Sequence, residues 1–325
     1  MEQRTDTADC AAREGDPEIS AIITCYYEEN SIEEFHSRLS KALQSLERTY
    51  EIVFVNDGST DKTFEKLKAI FEKDEHVAAV IDLFKNAGQA AAITAGICHA
   101  RGSIFLFMDS DLQLAPEDLP LLVREYDLGY DVVSGYRQHR KDSFFRILPS
   151  KIANVVMRKV SQSAFRDFGC TFKLFNAKLV RAFDLDPLHV FNPANVIAKA
   201  QRCSEVPVRH FPRKYGKSGW TFRKLWKYNM ENIVNLSERP FQLLAVVSLA
   251  FALLFVARVL LSAFTDFQVL SEVSNGLVLN AIVIAALIVV GVLCIIGEFT
   301  IRSFIASQKT PRYVIREILK RGVVP

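Results

Sequence analysis

Between Ile19 and about Arg137 the chain alternates short, almost wholly apolar runs with stretches where apolar residues recur every three to four positions. The first pattern predicts buried strands, the second amphipathic helices. Strands are predicted at "ISAIITCYY", "YEIVFVND", "HVAAVIDL", "GSIFLFMD" and "YDVVSGYR". Helices are predicted over 31–47, after the turn "GSTD" to about Lys73, over "QAAAITAGICHA", and from Pro116, where a first-turn proline fits. Strands without a polar face, alternating with helices, build parallel βαβ units covered on both sides. The predicted class is therefore α/β, with a Rossmann-like, mostly parallel sheet. Ligands in such sheets sit beyond the carboxyl ends of the strands, where "VND", "MDSD" and "GYR" fall.

Further along, the pattern changes. Segments 144–165 and 221–236 mix bulky apolar, aromatic and basic residues at helical spacing. That pattern suits a core-facing helix or one lying in a membrane interface. Their neighbours favour the membrane, because 241–264 and 277–297 are apolar on every face. Each reaches the roughly 20 residues needed to span hydrocarbon. Arg258 and Asn280 fall near the outer ends, where an arginine can snorkel. The connecting "TDFQVLSEVSN" has no Lys or Arg. The flanks carry Arg223, Lys224 and Lys227 before, and Arg302, Lys309, Arg312, Arg316, Lys320 and Arg321 after. This asymmetry predicts a multi-pass protein of the inner (cytoplasmic) membrane, with head domain and both termini cytoplasmic. The expected order is a disordered 1–17, a head over 18–220, an interfacial helix over 221–240, a transmembrane hairpin within 241–300, and a basic tail over 301–325.

Composition narrows the partners. Half of the 325 residues are hydrophobic, with the excess after residue 240, and 40 basic against 37 acidic residues leave a formal charge of +3. That balance gives no polybasic surface and argues against nucleic acid as a partner. The six cysteines form no Cys-x-x-Cys pair and read as small buried residues in a reducing compartment. The polar N-terminus has no apolar core of a signal peptide.

The candidate chemistry lies in "MDSDLQ". Strand alternation predicts that Asp109 and Asp111 point to one side and converge on a divalent cation, with Gln113 offering a third oxygen. The Gly and terminal Glu of a calcium-binding EF-hand loop are missing. A haloacid-dehalogenase phosphatase carries its Asp-x-Asp on the first strand, followed by Gly-Thr. Two solvated loop acids would look the same in isolation. In "VFVNDGSTD", Ser59, Thr60 and Asp61 read as helix-capping residues and Asp57 as the ligand candidate. Gly88 and the alanines after it allow a close backbone approach, which ordinary helix–sheet packing also uses.

Taken together, "ISAIITCYYEENSIEEF", "VFVNDGSTD", "FKNAGQAAAITAGICHARG", "MDSDLQ" and "YDVVSGYR" resemble, in order and spacing, glycosyltransferase family 2 with its GT-A fold. The apolar pair and "RKYGKSGWTFRKL" narrow the resemblance to polyprenyl-phosphate glycosyltransferases, over roughly residues 18–300. The resemblance implies a nucleotide-sugar donor (UDP- or GDP-linked), a polyprenyl-phosphate acceptor, Mg²⁺ or Mn²⁺, and a homo-oligomer such as a tetramer. It implies Tyr26, Glu28 and Asp57 at base and ribose, and Asp109, Asp111 and Gln113 at the metal. Arg137 and Arg146 would meet the lipid phosphate, while Arg213, Lys217 and Ser218 belong to a loop that closes over the diphosphate. Asp109, Asp111 and Arg137 are the implied catalytic residues. The chain departs from the family pattern at Thr24 (usually Pro), Tyr27 (usually Asn), Asn56 (usually Asp) and Lys217 (usually Glu). A phosphate monoester is already anionic near neutral pH and needs no general base, and attack opposite the leaving group inverts the anomeric centre. A polysaccharide synthase would carry Gln-x-x-Arg-Trp and further spans, which are absent. An inert adaptor or flippase partner would favour loss of one metal aspartate, and both are present.

Overall fold

The computed structural model describes residues 15–138, 165–215, 310–321 and scattered helical positions between 282 and 307. Two compact units divide the chain: Met1–Leu236 together with Pro311–Pro325, and Ser237–Thr310.

The first unit is built on one eight-stranded sheet. Its strands are β1 (Ile19–Cys25), β2 (Tyr50–Asn56), β3 (Val77–Leu83), β4 (Ile104–Asp109), β5 (Val132–Arg137), β6 (Lys173–Asn176), β7 (Cys203–Val208) and β8 (Ile315–Lys320). The order across the sheet is β7-β5-β6-β4-β1-β2-β3-β8. β4, β1, β2 and β3 run parallel, as the apolar runs predict. β5 and β7 point the same way, so six of the eight strands bear out the expectation of a mostly parallel sheet. β6 lies antiparallel between β4 and β5, and β8 lies antiparallel on β3. The segment expected as a basic tail thus supplies an edge strand, in which the inward positions Ile315, Glu317 and Leu319 alternate with exposed Arg316, Ile318 and Lys320.

Helices α1 (Ile32–Gln44), α2 (Thr63–Lys73) and α4 (Leu119–Asp127) cover one face of the sheet, and α3 (Gln89–Ile97) covers the other with two short helices, Ala177–Arg181 and Pro193–Ile197. In α1 the buried positions Ile32, Phe35, Leu39 and Leu43 form one helical stripe against the strands. Pro116 opens a single 3-10 turn, Pro116–Asp118, directly before α4. α3 is made of small residues because it lies almost on β1. A Cβ at Gly96 would come within 2.4 Å of the Ile22 side chain. On the α3 face, Phe107 packs against Phe175 and Phe191 with ring centroids 5.3 and 5.0 Å apart. This aromatic group fills the space under β4 and β6, and removing one such ring typically costs about 3–5 kcal/mol.

In the second unit, Ile282, Ile284, Ile288, Val289, Leu293, Ile296, Phe299 and Phe304 are helical and exposed. Among the described residues no helix is long and apolar enough to cross a membrane. The predicted span 241–264 and the helix 221–240 lie outside the described residues, as do 144–164 and part of 277–297.

Candidate active site

β1 connects to β2 on one side of the sheet and lies beside β4 on the other, so a crevice opens between the carboxyl ends of β1 and β4. Asp109 ends β4 at that crevice. Its carboxylate accepts hydrogen bonds from Gln89 at the start of α3 and from Thr24 Oγ1 on β1 at 3.4 Å, and the Thr171 side chain beside it favours its charged form. Burial, and then the charge of Asp111, raise Asp109 above the usual carboxylate range. Asp111 is not placed by strand alternation, since the strand stops at Asp109. A tight turn places it, with Leu112 at φ +59° in the left-handed region. That conformation costs roughly 1–2 kcal/mol for a non-glycine residue. Burial of the Leu112 side chain in the core offsets the strain. The turn aims Asp111 Oδ1 at the Gln113 amide, 3.1 Å away. The backbone of Gln113 is engaged at both ends, its carbonyl accepting from Phe211 N at 2.8 Å.

Asp57, expected at the nucleotide, is buried and turned toward the chain itself. Its oxygens accept from Ala87 N at 2.7 Å, Gly88 N at 3.0 Å and Asn86 Nδ2 at 3.0 Å. Burial pushes its pKa up to about 6 although these bonds pull it down. Gly58 makes the approach feasible: at φ +68° its Cβ would meet the Lys85 carbonyl carbon at 2.3 Å. None of the three expected capping residues is the N-cap of α2, which is Lys62; Asp61, just before it, accepts from Thr63 N at 3.1 Å. Ser59 accepts from Tyr27 N at 3.0 Å and Thr60 meets the Tyr27 hydroxyl at 3.0 Å. Asn56, where the family pattern has Asp, donates to Asp82 on β3 at 2.7 Å.

Tyr26 stands at the tip of β1, 41 % exposed, edge-on to Tyr27. This is a free aromatic face at the mouth of the crevice. Glu28 is buried instead, and lies near Asp109 and Asp111. Desolvation pushes its pKa up to about 7, opposed by a Ser31 hydrogen bond, raised further by Asp111 and eased by Arg213. Arg213 donates to Asp111 Oδ2 at 2.7 Å and lies 3.9 Å from Glu28. The segment carrying it runs along the metal loop: Arg209 binds Asp118 through its backbone N at 2.7 Å and its Nε at 2.8 Å, and His210 bridges to Leu114.

Arg137 ends β5 and is clamped by Asp167, with Nε–Oδ2 at 2.7 Å and Nη2–Oδ1 at 2.8 Å. Glu205 of β7 accepts from the backbone N of Arg166 at 2.7 Å and of Asp167 at 3.1 Å. Asp167, Gln89 and Thr171 are site residues that sequence reasoning missed. Asp167 stands in no motif at a strand tip, and only its pairing with Arg137 marks it. Arg146, Lys217 and Ser218 lie outside the described residues.

The acids fit a hard divalent cation. Asp109 and Asp111 are two carboxylates at one crevice, and the pair already draws a cation, Arg213, onto Asp111. Two acids leave coordination positions open for phosphate oxygens. Among the described residues there is no larger His, Cys, Asp and Glu group arranged to hold a metal.

The sequence that builds this fold matches a family of sugar-transferring enzymes. The chain belongs to glycosyl transferase family 2, whose family model matches residues 20–186. It is similar to the undecaprenyl-phosphate 4-deoxy-4-formamido-L-arabinose transferase of Salmonella choleraesuis (strain SC-B67), 32 % identical over 309 residues that cover 93 % of each chain. The enzyme of that name from Salmonella paratyphi B (strain ATCC BAA-1250 / SPB7) is equally similar, at 32 % over the same span. Among solved structures, glucosyl-3-phosphoglycerate synthase from Mycobacterium tuberculosis, with Mn²⁺, UDP-glucose and phosphoglyceric acid, aligns with a TM-score of 0.47. That alignment has 16 % identity and covers 73 % of this chain and 84 % of that one.

Proposed function

We propose that the chain transfers a sugar from a nucleotide-sugar to a polyprenyl phosphate such as undecaprenyl phosphate, with inversion, at the cytoplasmic face of the inner membrane. The observation that carries this reading is the end-to-end similarity to undecaprenyl-phosphate sugar transferases, covering 93 % of both chains. The exposed apolar side chains between Ile282 and Phe304 support a membrane-embedded second unit, since so large an apolar surface is costly in water. The two-helix hairpin over 241–264 and 277–297 is the form proposed for it, with a homo-oligomer as the working assembly.

In this reading Tyr26 stacks on the base at the crevice mouth, and Asp57 acts by holding the 86–88 loop that forms the pocket wall. Asp109 and Asp111 hold Mg²⁺ or Mn²⁺, which when bound offsets charge on the donor diphosphate. Gln113 completes the donor set. Arg213, with Lys217 and Ser218, closes on the diphosphate. Arg137 and Arg146 receive the acceptor phosphate. An oxygen of that phosphate attacks the anomeric carbon, the bond to the diphosphate breaks, and the nucleoside diphosphate leaves with the electron pair. No proton has to be removed from the acceptor. The work left to the protein is to bring two anionic groups together, and the cations at both sides of the crevice do this electrostatically.

The test is transfer of labelled sugar from a donor panel to undecaprenyl phosphate, with and without Mg²⁺ or Mn²⁺. The panel includes UDP- and GDP-hexoses and nucleotide-linked 4-deoxy-4-formamido-L-arabinose. Absence of transfer from every donor would overturn the reading.

A further inference from the structure

Among the described residues, Lys173 is the only buried lysine. It sits in β6 opposite Phe107 of β4 and Ser134 of β5. Because β6 runs antiparallel to β4, the start of β6 lies at the ligand end of β4. Its neighbours in β6, Leu174 and Phe175, are apolar core residues, and a third apolar residue would satisfy packing equally well. Burying an ammonium instead costs several kcal/mol unless its protons are used. They are used on one short stretch of backbone: Nζ donates to the carbonyls of Phe168, at 3.3 Å, and Cys170.

That stretch, 166–171, meets the candidate site at each end. Asp167 clamps Arg137, and the Thr171 side chain lies close enough to Asp109 to favour its charged form. Glu205 grips its first two amides, and at Gly169 a Cβ would approach Arg137 Nη2 to 3.2 Å. The charged groups facing the amine are Asp167, Glu205 and Arg137, with the Cys170 thiol beside it. Lys173 and Asp167 are buried, while Arg137 and Glu205 are partly buried beside them.

We propose that Lys173 is a positioning residue, whose ammonium fixes the 166–171 strap and thereby the alignment of Arg137 with Asp109. The inference rests on the proposed acceptor role of Arg137 and metal role of Asp109. It goes beyond them in linking the two halves of the site through one amine. Lys173 touches neither substrate; it acts through Asp167 and Thr171.

The experiment uses full-length protein in lipid nanodiscs, with two readouts: Mn²⁺ affinity, followed by the spin-resonance signal of the free ion, and KM for undecaprenyl phosphate. Thr171→Val is expected to weaken Mn²⁺ binding alone and Asp167→Asn to raise acceptor KM alone. Lys173→Met is expected to move both, by about tenfold each as outer-shell changes at metal sites do. Lys173→Arg, which keeps the charge and donors, recovers most of both. The proposal is overturned if Lys173→Met leaves either readout unchanged. It is equally overturned if a core variant of matched thermal midpoint, Phe191→Leu, reproduces both shifts. Mn²⁺ binding needs no turnover, so a native protein inactive on every donor would overturn the proposed function while the metal readout still decides this one.

Discussion

The two sides of the crevice are built by different means. On the side proposed for the donor, Tyr26 and Asp57 directly follow β1 and β2, Asp109 ends β4 and Asp111 lies two residues beyond it, each within a contiguous run of sequence. Backbone geometry does most of the positioning there, through Gly58 in the left-handed region, Leu112 likewise, and amides aimed at Asp57. On the acceptor side, Arg137, Asp167, Lys173 and Glu205 come from three strands and a loop, and side-chain charge does the positioning. The first kind of site tolerates change in side chains around it but not in its turns. The second reverses that, because its backbone is ordinary and each buried charge needs its counterpart.

The sharpest way to test this contrast is at the metal pair. Asp111→Asn should lower transfer by about two to three orders of magnitude, the usual loss when a main electrostatic group at the reacting centre is removed. Initial rates across a Mn²⁺ titration check this, and a native-like rate would remove the donor-side assignment. Next in size is Asp167→Asn, which leaves the partly buried Arg137 facing an amide. It should cost about 3 kcal/mol of stability, the low end for a broken buried pair, read from denaturant unfolding of the protein in detergent. A smaller change would place acceptor-side ordering in the backbone after all.

Asp57 gives a pH test. Its folded pKa, about 6, stands above the 3.8 of an ordinary aspartate, so the folded protein holds this proton more tightly than the unfolded chain does. Its contribution to stability is then fully present below pH 4 and declines as pH rises through 6, by at most about 3 kcal/mol. Subtracting the Asp57→Asn profile from the native one, by thermal midpoint from pH 4 to 7, should reveal that decline. A rise instead would mean that the loop amides outweigh burial. The smallest effect is expected for Arg316→Ala on β8, whose half-exposed guanidinium lies 3.3 Å from Asp82. Screening holds such a pair to about 1 kcal/mol, measurable as a slight fall in thermal midpoint without loss of transfer.

The same contrast explains what the sequence made legible. β1 to β5 and α1 to α4 stand out because each is a long apolar or amphipathic run whose period is unbroken. β6 is only Lys-Leu-Phe-Asn, with a lysine pointing inward. β7 carries Glu205 and Pro207, and half of β8 is charged. None of the three has a run that marks a strand, and only their partners in the sheet make them strands. Asp109 and Asp111 were legible as a motif, whereas Asp167 stands out only through Arg137, across thirty residues of chain. Glu28, which the resemblance implies at the base, shows what sequence order does not carry. The 209–214 segment returns to bring Arg213 within 3.9 Å of it.

β8 has one more consequence, for the order of events during synthesis. The sheet's last edge strand is encoded after Ser237–Thr310, so the nascent head emerges with β3 uncovered on one side. Everything between Val208 and Ile315 must be made first, a wait on the order of ten seconds at usual elongation rates. Until then the growing chain carries an open hydrogen-bonding edge, while its apolar segment is already leaving the ribosome. A stop codon placed just before Ile315 would therefore leave Asp109 and Asp111 in place on a sheet that never closes its edge.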